Sequence, residues 1–213
     1  MMRRATETQR HGVSFVRNVL RAFVSGTPPR SARRGPRALW PVTAICAGLF
    51  AAGAGAQGIT REEALAGVYP GAQIRAEQVF LTAAQVKQVA AAAGADVPSP
   101  LVARYVATRD GRPVGRAYVD THVVRTKKES LLISLDAEGH LLRIDVTAFL
   151  EPPEYRASEP WLRQYRGHAL TDDLGINRAI RPIAGATLTA RAANAAVRRV
   201  LAIDQILATG DRP

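Results

Sequence analysis

Cysteine is almost absent from this chain of 213 residues: there is one, Cys46, and it falls inside an apolar run near the N-terminus. A single thiol closes no intrachain disulfide, builds no thiolate metal site and anchors no haem through a pair. The residues before it, Thr43-Ala44-Ile45, make a poor lipobox, so a lipid anchor is not expected. Histidine is sparse too, with four residues, of which His122, His140 and His168 lie beyond the N-terminal region. They are scattered, without the spacing of a metal site or the acidic neighbours of a triad, and His140 reads as a surface strand residue. No metal site and no catalytic residue is therefore expected. Long apolar runs are missing as well. The longest, Ala38 to Ala52, holds 15 residues, short of the ~20 that a spanning helix needs.

Acid is nearly absent from residues 1 to 56, which carry nine Arg against Glu7 alone. That stretch holds +8 of the net charge of +11, and the remainder, with 20 Lys+Arg and 17 Asp+Glu, holds +3. A nucleic-acid binder keeps its positive charge on the folded domain. Here the excess belongs to a leader, so no nucleic-acid partner is expected. The Arg-rich piece from Arg30 to Arg37, the apolar run and the small residues ending at Ala56 follow the order of a secretory signal. Cleavage after Ala56 would leave Gln57 first and remove the only cysteine; an uncleaved anchor is the alternative. The expected location is the periplasm or the outer face of the cytoplasmic membrane.

The rest reads as an α+β domain: a twisted antiparallel sheet with helices packed on it. Residues 57–100 are expected to form an N-terminal helical segment and residues 101–208 the main domain. Arg61 to Ala66 suggests a short helix. Thr82 is a good N-cap for a helix over Ala83 to Ala93, ended by Gly94. From Leu101 the period changes to two, with strands over Leu101–Thr108, Val114–Val124, Leu131–Leu135 and His140–Phe149. Asp110-Gly111 marks a hairpin. The Pro-rich crossing Leu150 to Tyr155 breaks the sheet, and Pro160-Trp161 opens a short helix. In the last helix Val197, Val200, Leu201 and Leu207 form an apolar stripe, with Arg191, Arg198 and Arg199 expected to face water. Asp172-Asp173 reads as a charged loop. Arg125 to Lys128 reads as a solvated basic loop or, secondly, a docking patch for an acidic redox partner.

The stretch that organises the chain is Ile180 to Ile203. A Pro-containing extended piece leads into Ala184-Gly185-Ala186-Thr187, and an Ala-rich helix follows. Glycine lets the backbone turn sharply there. Thr187 and Thr189 stand where capping hydroxyls belong, and the first turn of a helix suits a phosphate. On these residues alone, a plain turn and cap is the commoner reading.

Gly185-Ala186-Thr187 resembles the flavinylation motif of the FMN-binding domain family, Asp-x-x-Ser/Thr-Gly-Ala-Thr-x-Ser/Thr. Covalently flavinylated subunits of the Rnf complex and of the sodium-pumping NADH:quinone oxidoreductase belong to that family. Two further segments are similar to the family's pattern in the same order: Ala148-Phe149-Leu150-Glu151-Pro152 at a strand end, and Trp161-Leu-Arg-Gln-Tyr-Arg-Gly167. The resemblance implies an exported FMN-carrying electron-transfer protein, a redox carrier more than a stand-alone enzyme. It implies a flavin transferase as partner, with a membrane or periplasmic redox protein beyond it. Thr187 would be esterified: its oxygen bonds to the FMN phosphorus of FAD, AMP leaves, and the transferase takes the hydroxyl proton. Ala184, Gly185, Ala186 and Leu188 would flank the phosphate and Thr189 would hydrogen-bond it; Glu151 would meet the polar edge of the ring system or stand as a solvated loop acid, and Trp161 would pack near the ring or in the core. Tyr155 and Tyr165 stand as alternatives between the ring and the core. Ala184 and Arg181 replace the family's Ser/Thr and Asp. Arg181 would then be a positive partner for the phosphate, or the domain would be a flavin-free exported binding or scaffold module.

Overall fold

Five strands, each antiparallel to the next in sequence, form one open sheet in the order β1-β2-β3-β4-β5. The computed structural model describes residues 59–210. In chain order the elements are α1 (Arg61–Val68), β1 (Gln73–Phe80), α2 (Ala83–Ala93), β2 (Leu101–Arg109), β3 (Arg112–Val123), β4 (Lys128–Asp136), β5 (Leu141–Phe149), α3 (Glu159–Leu162) and α4 (Thr187–Gly210). The α+β reading holds: an antiparallel sheet carries helices on its faces. Residues 57–100 also supply β1, which pairs with β2 along its whole length. The sequence of β1 hides it, because at the sheet's edge most of its side chains are exposed on both faces and the apolar alternation is lost. The leader, its cleavage point and Cys46 lie outside the described residues. Among those described, no helix is long and apolar enough to cross a membrane.

Local chemistry sets the boundaries. Thr60 with Glu63 and Thr82 with Gln85 each close a capping box, in which hydroxyl and N3 side chain satisfy one another's backbone donors. Gly94 ends α2 in the left-handed conformation. The β2–β3 hairpin turns through Asp110 (φ +51°) and Gly111 (φ +75°). Two successive positive φ values give the tight turn whose twist matches the strands.

Period two divides the sheet between two cores. Tyr118, Leu131, Ile133, Ile144 and Val146 pack on one side with Val89 of α2 and Val197, Val200 and Leu201 of α4. Ala107, Ala117 and Leu132 face the other side, under Ala64, Leu65 and Tyr69. Side chains such as Leu131 and Ile133 are fully buried, each worth roughly 1.5–3 kcal/mol of transfer free energy. Tyr69 locks α1 down, its hydroxyl 2.7 Å from the Arg116 carbonyl and 2.8 Å from that of Leu135. Gly115 lies beneath that ring, and a Cβ there would overlap it.

The apolar stripe of α4 is buried as its spacing predicts. Its arginines do not all face water. Arg198 donates to the carbonyls of Ala92 and Ala93 at the end of α2 and to those of Thr171 and Leu174. Arg199 is buried, because α4 lies over a strand that presents a carboxylate beneath it. Arg191 is exposed.

Candidate functional site

Helix α4 begins at Thr187, whose side chain is exposed. Gly185 takes φ +77°, and a Cβ built there meets nothing within 4 Å. Its glycine is thus set by backbone conformation more than by crowding. Ala186 N–H closes the turn on the Ile183 carbonyl, and the Ala190 N–H makes the first helical bond, to Ala186. That spacing leaves the N–H groups of Thr187, Leu188 and Thr189 without acceptors inside the helix.

A cleft of about 320 Å³ opens at this helix start, lined by Arg125, Tyr155, Gly185, Ala186, Thr187, Leu188 and Thr189. Its size falls at the lower end of the ~300–1,000 Å³ typical of cofactor pockets. The Arg125 guanidinium stands 5.3 Å from the centroid of the Tyr155 ring, within reach of a cation–π contact. Arg125 is the one charged residue of the lining, so an anion is favoured there over a cation. Leu188 is 47% exposed at the rim. These residues fit a flavin nucleotide: a hydroxyl and a guanidinium for the phosphate, and an aromatic face beside them.

The other expected site residues are engaged differently. The Thr189 hydroxyl is buried and donates to the Tyr155 carbonyl at 2.7 Å. It holds the aromatic wall in place and has no hydrogen left for a phosphate. Glu151 Oε1 accepts the N–H groups of Arg125, Thr126 and Lys127 at 3.2, 2.7 and 2.8 Å. Those donors hold its carboxyl below the usual carboxylate range. Glu151 therefore shapes the loop between β3 and β4 and does not line the cleft. Trp161 is a core residue: its Nε1–H donates to the Arg181 carbonyl at 2.6 Å, and its ring meets Tyr165 edge-on at 5.5 Å. Tyr165 is fully buried and its hydroxyl reaches Asn194. Ala184 and Arg181 are exposed and outside the lining.

A buried charge chain lies beneath α4, and the histidine reading missed it. Asp120 and His122 are two apart on β3, hence on one face, and His122 pairs in register with Glu129 of β4. His122 Nδ1 is 2.9 Å from Asp120 Oδ1, and Nε2 is 3.1 Å from Glu129 Oε2. Arg199 grips Asp120 with two bonds, Nε to Oδ2 at 2.7 Å and Nη2 to Oδ1 at 2.9 Å. Burial works against a charge on His122, but the bonds to Asp120 and Glu129 outweigh it and lift the imidazole to about 9. Burial likewise pushes Asp120 up, and His122 and Arg199 win, holding it below the ordinary carboxylate range. The acidic neighbours of His122 are real, but they form a structural relay with no nucleophilic hydroxyl or thiol among its bonded partners. Among the described residues, no group of three or more His, Cys, Asp or Glu is arranged to hold a metal. The visible sequence signal was Tyr118-x-Asp120-x-His122, polar residues on the inward phase of an alternating strand.

No protein-family model, no curated protein and no solved structure matches this chain.

Proposed function

We propose that this protein carries FMN, joined through a phosphoester to Thr187, and relays electrons on the outer side of the cytoplasmic membrane. One observation carries the reading: the Thr187 side chain is exposed at the first turn of α4, on the wall of a cleft that also holds a guanidinium and a tyrosine ring. Esterification needs a hydroxyl that a transferase can reach, and a phosphate bound there would find free helix N–H groups and a positive partner. A bound flavin supplies the redox chemistry, while the chain binds it, orients it and sets its surroundings. Gly185 makes the turn that brings Ala186 and Thr187 to the cleft, and Leu188 leaves an apolar rim toward a partner. The resemblance in Gly185-Ala186-Thr187 supplies the identity of the cofactor and of the modifying enzyme. The charged leader supports export.

The test is co-production with a flavin transferase, followed by intact-mass measurement and visible absorbance after denaturation. The wild-type chain should gain one FMN adduct and remain yellow when unfolded, and Thr187→Val should do neither. A colourless wild type, or colour lost equally from both proteins, would sink the covalent assignment. Failure of the folded protein to take up flavin in any form would favour a flavin-free binding module.

A further inference from the structure

The positive partner in the cleft, Arg125, comes from a segment far from the Gly-Ala-Thr turn. Arg125 sits in the four-residue loop between β3 and β4. Such a loop is ordinarily free to move, but this one is closed on an internal carboxylate. Glu151, from the crossing after β5, takes the backbone N–H groups of residues 125, 126 and 127 on a single oxygen. The loop is tied at its base as well, since the Leu150 N–H donates to the Lys128 carbonyl at 3.0 Å, and His122 and Glu129 meet across the hairpin. The outcome is an exposed guanidinium with a fixed root, laid over Tyr155, whose own carbonyl is held by Thr189.

We infer that Arg125 is the phosphate-recognition residue of the cleft, and that Glu151 is the residue that positions it. The assignment rests on the FMN reading and makes it more specific. A planar guanidinium suits the geometry of a phosphate, with two parallel N–H donors. The cleft lining offers no carboxylate that would compete for it. Arg181, the cation that the order of residues favours, lies outside the lining, and Arg125 lies within it. The phosphate of FMN, rather than its ring, is then what distinguishes the preferred ligand from riboflavin.

The test uses the full-length protein made in a host without the transferase, so that flavin binds reversibly. Binding of FMN and of riboflavin is read separately by the change in flavin fluorescence. The wild type should prefer FMN. Arg125→Ala should weaken FMN binding by about tenfold or more, the ratio of one lost charge-assisted contact, and leave riboflavin unchanged. Arg125→Lys should restore part of the preference. Glu151→Ala should lose the FMN preference to a similar extent, and adding it to Arg125→Ala should lose nothing further. Equal weakening of both flavins in Arg125→Ala, or no change in either, overturns the assignment while leaving FMN binding itself intact. A wild type that binds neither flavin overturns the FMN reading and this inference with it.

Discussion

Raising the pH past neutrality should loosen this protein through one histidine. The His122 ring sits beneath α4 between Asp120 and Glu129. Burial opposes its charge, but those two bonds outweigh it, and the folded state holds the proton to about pH 9. The unfolded chain releases it near the ordinary value of about 6.5. A raised folded value means stability that is complete below about 6.5 and is lost as pH climbs through about 9. Holding the proton up to about 9 in place of about 6.5 corresponds to about 3 kcal/mol in full. Between pH 7 and 9.5 the loss should be about 2 kcal/mol, since part of the effect is already gone at neutrality. Urea unfolding at intervals across that range, on wild type and His122→Gln, isolates the contribution, because tyrosines and lysines titrate in both. Wild type should approach the variant as pH rises. Parallel curves would refute the reasoning, as would an NMR titration that finds the His122 ring changing charge near 6.5.

Two further outcomes follow from packing and charge. Gly115→Ala should cost about 1–3 kcal/mol or prevent folding, because the new methyl overlaps the Tyr69 ring and lies 2.5 Å from the Leu135 carbonyl; thermal unfolding reads it, and a cost near zero would mean that α1 is free to lift. Arg199→Met should cost about 3 kcal/mol, since it removes both guanidinium bonds to the buried Asp120 carboxylate and leaves it the His122 ring alone. Arg199→Met combined with Asp120→Leu removes one charge of each sign and leaves His122 with Glu129. It should be more stable than the single variant by urea unfolding, and the reverse order would show that the ion pair is net stabilising.

Long-range pairing, not local propensity, separates what the chain reveals from what it conceals. The strands β2 to β5 were legible because each alternates between a buried and a second, differently covered face. Thr82, Gly94 and Asp110-Gly111 were legible because capping and turning are settled within a few residues. Strand β1 was not, since its exposed edge carries Gln73, Arg75, Glu77 and Gln78 in place of an apolar phase. Arg199 looked solvent-facing because a helix wheel shows only the helix. Its burial depends on Asp120, which comes from β3 and meets it only after α4 has docked.

The cleft repeats that lesson with a functional consequence. Its lining comes from three places in the chain: Arg125 after β3, Tyr155 after β5, and residues 185–189 at the start of α4. Nothing local to Arg125 distinguishes it from Lys127 or Lys128, and a run of basic residues reads most simply as a solvated loop. What singles it out is register. Glu129 pairs with Phe149, so the loop before β4 lies beside the chain leaving β5, and Glu151 falls within reach of the loop's N–H groups. The same exit carries Tyr155 on to Thr189, 34 residues later in sequence. Glu151, a strand-end acid, is thus tied to the cleft through the backbone it organises. Glu151 spends one oxygen on three N–H groups of the loop, and the residue that this loop presents to the cleft, Arg125, has the opposite sign.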